Sequence, residues 1–212
     1  MYTHQKNVIT RGQPLSETGK ALIMMHGRGA SAQSILSLAS HLPVENFTLY
    51  APQATQHSWY PYSFMAPIEQ NQPALDSALA QIEELVQSIL VQGISSEQLY
   101  LLGFSQGACL TVEYATRHAR HYGGLLIFTG GLIGTQIDTS PYHGDFAGTP
   151  VLITTGHPDA HVPLSRVEET VRILEEKGAA VTKKIYSNRP HTILQEEIDL
   201  ASQLLTAAPQ AK

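Results

Sequence analysis

Three residues in this chain have the side chains that nucleophilic acyl transfer needs: Ser105, Asp159 and His191. A serine hydroxyl is a weak nucleophile. It needs a base to take its proton, and the base needs a carboxylate to hold its tautomer. Ser105 lies in Gly103-Phe104-Ser105-Gln106-Gly107, after the apolar run QLYLLGF and before a helix-like stretch. Glycines two before and two after the serine clear side chains from a sharp turn. The helix that follows would aim its first amides and its positive dipole end where an oxyanion forms. An ordinary strand-to-helix turn with a serine N-cap would read the same way. The apolar strand on one side and the helix on the other make the pattern more specific.

A nucleophile in this strand–turn–helix context takes its acid after a later strand and its histidine after the last one. Asp159 stands in Gly156-His157-Pro158-Asp159-Ala160-His161-Val162-Pro163, just past the apolar run Val151–Thr155. His191 follows the run Val181–Tyr186 and precedes the last helical stretch. Asp138 and Asp145 compete for the acid but lie in an earlier loop, and His157 and His161 compete for the base but precede the last strand. The oxyanion needs two amide donors. One is expected from Gln106, the residue after the nucleophile. The other is expected from the backbone of Arg28, in the bend His26-Gly27-Arg28-Gly29 after the first clear strand. The Arg28 side chain is either a solvated structural arginine or a contact for an anionic substrate group.

The elements that must position these residues follow from periodicity. Strands are predicted at Lys20–Met25, Phe47–Tyr50, Gln98–Gly103, Leu125–Thr129, Val151–Thr155 and Val181–Tyr186. Most are continuous apolar runs, as strands buried on both faces require. Helices are predicted at Ala32–Leu42, Pro73–Gln92, Ser105–His121, Pro163–Lys177 and Ile193–Thr206. Alternating strands and helices predict an α/β chain with a mostly parallel central sheet and helices on both faces. The 212 residues suit a single domain spanning 1–212. Two long connections remain, Ala51–Gln72 and Gly130–Thr149. The first holds His57-Ser58-Trp59-Tyr60-Pro61-Tyr62, where Trp59 and Tyr60 are candidate walls of a substrate pocket or else a small satellite core. The second has no room for a large lid domain.

Composition removes several other readings. Net charge is −5 with no basic block, which argues against nucleic acid. The single cysteine excludes an internal disulfide and multi-cysteine metal sites; Cys109 reads as a packed thiol. His157, Asp159 and His161 alternate, but no further cluster completes a metal set, so no metal and no cofactor is expected. Gly27-Arg28-Gly29-Ala30-Ser31-Ala32 mimics a dinucleotide fingerprint, yet the next strand ends Leu49-Tyr50-Ala51-Pro52 without the carboxylate that binds ribose. No apolar run is long enough to span a bilayer, and no basic-then-apolar leader opens the chain, so a cytoplasmic location is expected. Only 15% of residues are charged, which allows a homodimer.

Taken together, HGRGA, APQA, SWY, GFSQGA, GHPDAHVP and His191 resemble the carboxylesterase/phospholipase family of α/β-hydrolases, which includes the acyl-protein thioesterases. The resemblance runs from about residue 20 to 195. It implies the α/β-hydrolase fold, a Ser105–Asp159–His191 triad, and an oxyanion hole from the amides of Arg28 and Gln106. The thioesterases carry Leu and Asp where Arg28 and Ala30 stand, and Gly where Pro190 stands, which suggests a bacterial-type esterase of small molecules. A carboxylic-ester hydrolase acting through an acyl-enzyme is therefore expected. Acyl-thioesterase or lysophospholipase activity is the alternative with the same triad, and a non-catalytic binding protein of the same fold is the remoter one.

Overall fold

Short aliphatic runs form the sheet, and the period of two within each run decides which helices a strand meets. The computed structural model describes residues 2–207. Its strands are β1 (Val8–Arg11), β2 (Ala21–Met25), β3 (Thr48–Pro52), β4 (Leu99–Phe104), β5 (His118–Ala119), β6 (Gly124–Phe128), β7 (His143–Gly144), β8 (Pro150–His157) and β9 (Ala180–Ser187). Its helices are α1 (Leu15–Thr18), α2 (Ala32–Ser37), α3 (Ile68–Asn71), α4 (Ala74–Leu90), α5 (Gln106–Arg117), α6 (Leu164–Glu176) and α7 (Gln195–Thr206).

Seven strands make one sheet in the order β1-β3-β2-β4-β6-β8-β9, while β5 and β7 pair separately. Within the large sheet, only β1 runs antiparallel to its neighbour. Leu22, Met24, Leu102, Leu126 and Leu152 face Ile35 and Leu36 of α2 and Ile198, Ala201 and Leu205 of α7. The alternate residues Ile23, Leu101, Leu125, Ile127 and Ile153 face α4, α5 and α6. Helices thus cover both faces, as the predicted alternation requires, with each fully buried Leu or Ile contributing about 1.5–3 kcal/mol. Among the described residues no helix is long and apolar enough to cross a membrane.

The differences from expectation have local causes. β1 is missing from the sequence reading because VITR is a short, half-exposed edge strand with no continuous apolar run. The helix expected over 32–42 divides into α2 and a tighter 3-10 turn at Leu38–His41. The helix expected to reach His121 stops at Arg117, because His118 and Ala119 pair with His143 and Gly144. The long connection after β6 is fastened to buried charges. Glu113 of α5 accepts from the Ile133 amide at 3.1 Å and the Tyr142 hydroxyl at 2.9 Å. Arg166 of α6 donates to the carbonyl oxygens of Leu132 at 2.9 Å and Gly134 at 2.7 Å.

The strand order creates the crevice for the site. From β2 the chain goes to β3 on one side and later to β4 on the other. Loops leaving the carboxyl ends of β2 and β4 therefore diverge, and such switch points are where open α/β sheets bind ligands.

Candidate active site

Ser105 leaves β4 with φ 55° and ψ −119°, a backbone conformation that is strained for a residue with a side chain. Two glycines make the bend possible. A Cβ on Gly103 would collide with the Gly107 carbonyl and Thr111 Oγ1, and a Cβ on Gly107 would collide with the carbonyls of Met25 and His26. The start of α5 therefore lies tight against both β4 and β2. Ser105 occupies the N-cap position, but its side chain makes no capping bond. The hydroxyl instead meets His191 Nε2 at 2.8 Å. This separates it from an ordinary capping serine.

His191 Nδ1 lies 2.9 Å from Asp159 Oδ2. The other carboxylate oxygen accepts from the amides of His161 at 2.8 Å and Val162 at 3.0 Å. Burial pushes the Asp159 carboxyl up, but His191 and these two amides outweigh it and hold it below its ordinary value. The meeting of acid and base follows from sheet register. β8 and β9 are parallel, with His157 opposite Ser187, so the loops that carry Asp159 and His191 leave side by side. The competing acids point to their own turns: Asp138 takes the Ser140 amide at 2.9 Å and Asp145 the Ala147 amide. His161 stacks edge-on against His191, with ring centroids 5.0 Å apart.

The loop after β2 comes next to Ser105. A Cβ added to Gly27 would lie 3.5 Å from Ser105 Cβ. The Gln106 amide is the first of α5, so no intrahelical acceptor serves it. The Arg28 amide makes no hydrogen bond among the described residues. The Arg28 guanidinium is structural: it donates to Ser58 Oγ at 2.9 Å and to the carbonyls of Pro61 at 2.8 Å and Tyr62 at 2.6 Å.

A cleft of about 620 Å³ opens beside Ser105 and His191, walled by Tyr60, Tyr62, Phe64 and Val162. Tyr60 lines it. Trp59 does not: of the two alternatives it takes the packed one, within the core under the loop. Its side chain is fully buried, and its indole N–H donates to the His26 carbonyl at 2.8 Å. An indole N–H needs a partner when buried, and the His26 carbonyl supplies it. A smaller hollow of about 340 Å³, lined by Ile35, Leu38, Phe104 and Ile193, lies on the α2 side of Gly27.

Comparisons with known proteins identify the family. Residues 5–208 match the family model described as Phospholipase/Carboxylesterase. The chain belongs to the phospholipase/carboxylesterase family. A crystal structure of a phospholipase/carboxylesterase from Dyadobacter fermentans is similar over 98% of this chain and 99% of that one, with 56% identity and a TM-score of 0.96. A probable carboxylesterase, SOBER1-like, from Arabidopsis thaliana is 26% identical over 162 residues, 74% of this chain and 62% of the relative. An acyl-protein thioesterase 1 from Eremothecium gossypii is 25% identical over 182 residues, 84% of this chain and 75% of the relative. The match spans less than two thirds of the plant carboxylesterases: 62%, 65% and 56% of the first three.

In this family member, two side chains to which sequence reasoning gave no role, those of Gln106 and His26, build the site's frame. The Gln106 side chain, within 6% of full burial, accepts from the Trp59 amide at 3.0 Å and donates to the Tyr60 carbonyl at 2.8 Å. Buried His26 accepts from the Ala54 amide at 3.1 Å through Nε2 and bonds the Gly27 carbonyl at 2.8 Å through Nδ1. Gln106 clamps the aromatic loop to the Ser105 turn, and His26 ties the Ala54 end of the same connection to the Gly27 bend. The only signal for them in the sequence was their position inside the two quoted motifs.

Proposed function

We propose that this chain is a serine hydrolase of carboxylic esters, working through an acyl-enzyme. The observation that carries this reading is the unbroken line from Ser105 Oγ to His191 to Asp159, at 2.8 and 2.9 Å, built from three separate loops. In the proposed cycle His191 Nε2 takes the Ser105 proton as Oγ attacks the ester carbonyl. Asp159, kept ionised by its hydrogen bonds, holds Nδ1–H and stabilises the imidazolium. The amides of Arg28 and Gln106 receive the oxyanion, an arrangement in which one donor is worth about 3–4 kcal/mol. His191 then protonates the leaving alcohol, and water repeats the sequence to release the acid.

The cleft supports a small to medium acyl substrate, held against Tyr60, Phe64 and Val162. The same machinery would serve thioesters. A chain-length series of p-nitrophenyl esters and matching thioesters, read as kcat/KM, decides between the two. A fluorophosphonate probe should label the wild type and leave Ser105→Ala unlabelled; equal labelling of both would refute the assignment of the nucleophile.

A further inference from the structure

The segment that carries His191 is held from inside the protein by a buried ion pair. Arg189 and Glu197 have side chains that are 0% exposed, with Arg189 Nη1 3.7 Å from Glu197 Oε2. Arg189 stands two residues before His191. Its guanidinium donates to Thr129 Oγ1 at 2.6 Å, at the carboxyl end of β6. It also reaches the carbonyls of Pro190 and Thr192, the residues on either side of His191. Glu197, in the first turn of α7, accepts from the Leu194 amide at 2.7 Å and from the Thr154 hydroxyl of β8. Gly156, which opens the acid loop, lets Arg189 come close: a Cβ there would lie 3.0 Å from the Arg189 carbonyl and 3.6 Å from its Nε.

A buried ion pair is a poor device for stability alone, because desolvating two charges offsets most of their attraction. This pair instead ties together the end of β6, the start of the acid loop, the histidine segment and the start of α7. The segment itself offers little else. From Asn188 to Ile193 its backbone–backbone hydrogen bonds are Asn188 N–H to the His157 carbonyl at 3.0 Å and Thr192 N–H to the Pro190 carbonyl at 2.8 Å. We propose that Arg189 and Glu197 are the positioning residues of the base: the ion pair fixes His191 between Ser105 and Asp159, acting through the backbone on both sides of the imidazole.

The inference rests on the serine-hydrolase reading for its effect on rate, and on geometry alone for its effect on His191. The test compares wild type with Arg189→Lys and with the paired substitution Arg189→Met plus Glu197→Leu. The paired change removes both charges at similar volume, so neither is left buried alone. Two quantities are measured on folded protein: kcat and KM for a p-nitrophenyl ester, and the low-field proton resonance of the His191 Nδ1–H bond to Asp159.

The expected result for the paired substitution is a fall in kcat of at least about 30-fold with KM within about threefold, and loss of the resonance. Arg189→Lys should fall between. Guanidinium added to Arg189→Ala should restore part of kcat. A folded paired variant with wild-type kcat and an intact resonance overturns the proposal. Failure of every variant to fold assigns the pair to stability and overturns it too. A wild type that cleaves no ester, yet whose resonance is lost without Arg189, sinks the hydrolase reading and upholds the positioning role.

Discussion

The Trp59 indole N–H donates to the His26 carbonyl at 2.8 Å, and the two rings lie 5.1 Å apart. The residue that follows β2 and opens the Gly27 bend is thereby joined to the loop that walls the cleft. Trp59→Phe keeps most of the ring but leaves a buried carbonyl without its donor. The expected loss is about 1–3 kcal/mol of stability, seen by urea unfolding. Trp59→Ala should cost about 3–5 kcal/mol, because it also opens a cavity. No change in KM is expected for short esters from Trp59→Phe, since the ring does not touch the cleft.

Asp159→Asn tests the orienting carboxylate. An amide can hold the imidazole in place while favouring the wrong tautomer. In enzymes built this way the change lowers kcat by about 10⁴-fold. A similar fall is expected here, about 10³–10⁴-fold in kcat with KM nearly unchanged, read by steady-state kinetics with active-site titration.

Stability should depend on pH through His4 and His26. Burial lowers both imidazoles below their ordinary value of 6.5. In the unfolded chain they titrate near that value. As pH falls through it, the unfolded state takes up protons that the native state does not, so stability drops until the native groups also protonate. Asp159 is depressed and loses its contribution only further down, as pH falls through its native pKa. The urea midpoint should therefore be lower at about pH 5.5 than at about pH 7.5, and His26→Gln should reduce that difference.

Cys109, one turn into α5, should be inert. It is buried, and burial pushes its thiol up to about 12. The thiolate is the reactive form, so native protein at about pH 8 should resist iodoacetamide and react only in denaturant. Rapid alkylation of the native protein would count against the packing described for this helix.

Gly107→Ala tests the tight turn. Any Cβ at 107 meets the carbonyls of Met25 and His26. Overpacking of this kind costs about 1–3 kcal/mol, and occasionally more. A lower thermal midpoint and loss of fluorophosphonate labelling are expected together, because the same shift moves Ser105 away from the Arg28 amide.

Local sequence was enough to read the parallel sheet, the helices on both faces and the turn at Ser105. Strand type depends on continuous apolar runs, helix type on three- and four-residue spacing, and the turn on glycines whose missing side chains are a local requirement. The placement of Asp159 and His191 in the loops after β8 and β9 was readable as well, because each follows its apolar run within a few residues. What lay beyond reach depended on which surface each side chain met. Trp59 and Tyr60 are adjacent in sequence and equally aromatic, yet one turns to the His26 carbonyl and the other to the cleft. For the Arg28 side chain the sequence left a structural role and a substrate contact both open, and only folding supplied the three acceptors of its guanidinium. Nothing in the local sequence marks Arg189 and Glu197 as a pair, since eight positions separate them across a strand-to-helix turn. The close of β8 against β9 and α7 removed them from water and made them partners. Hydrogen-bond partners far apart in the chain are chosen by tertiary packing, because burial obliges each polar group to find whatever acceptor or donor the fold has brought near.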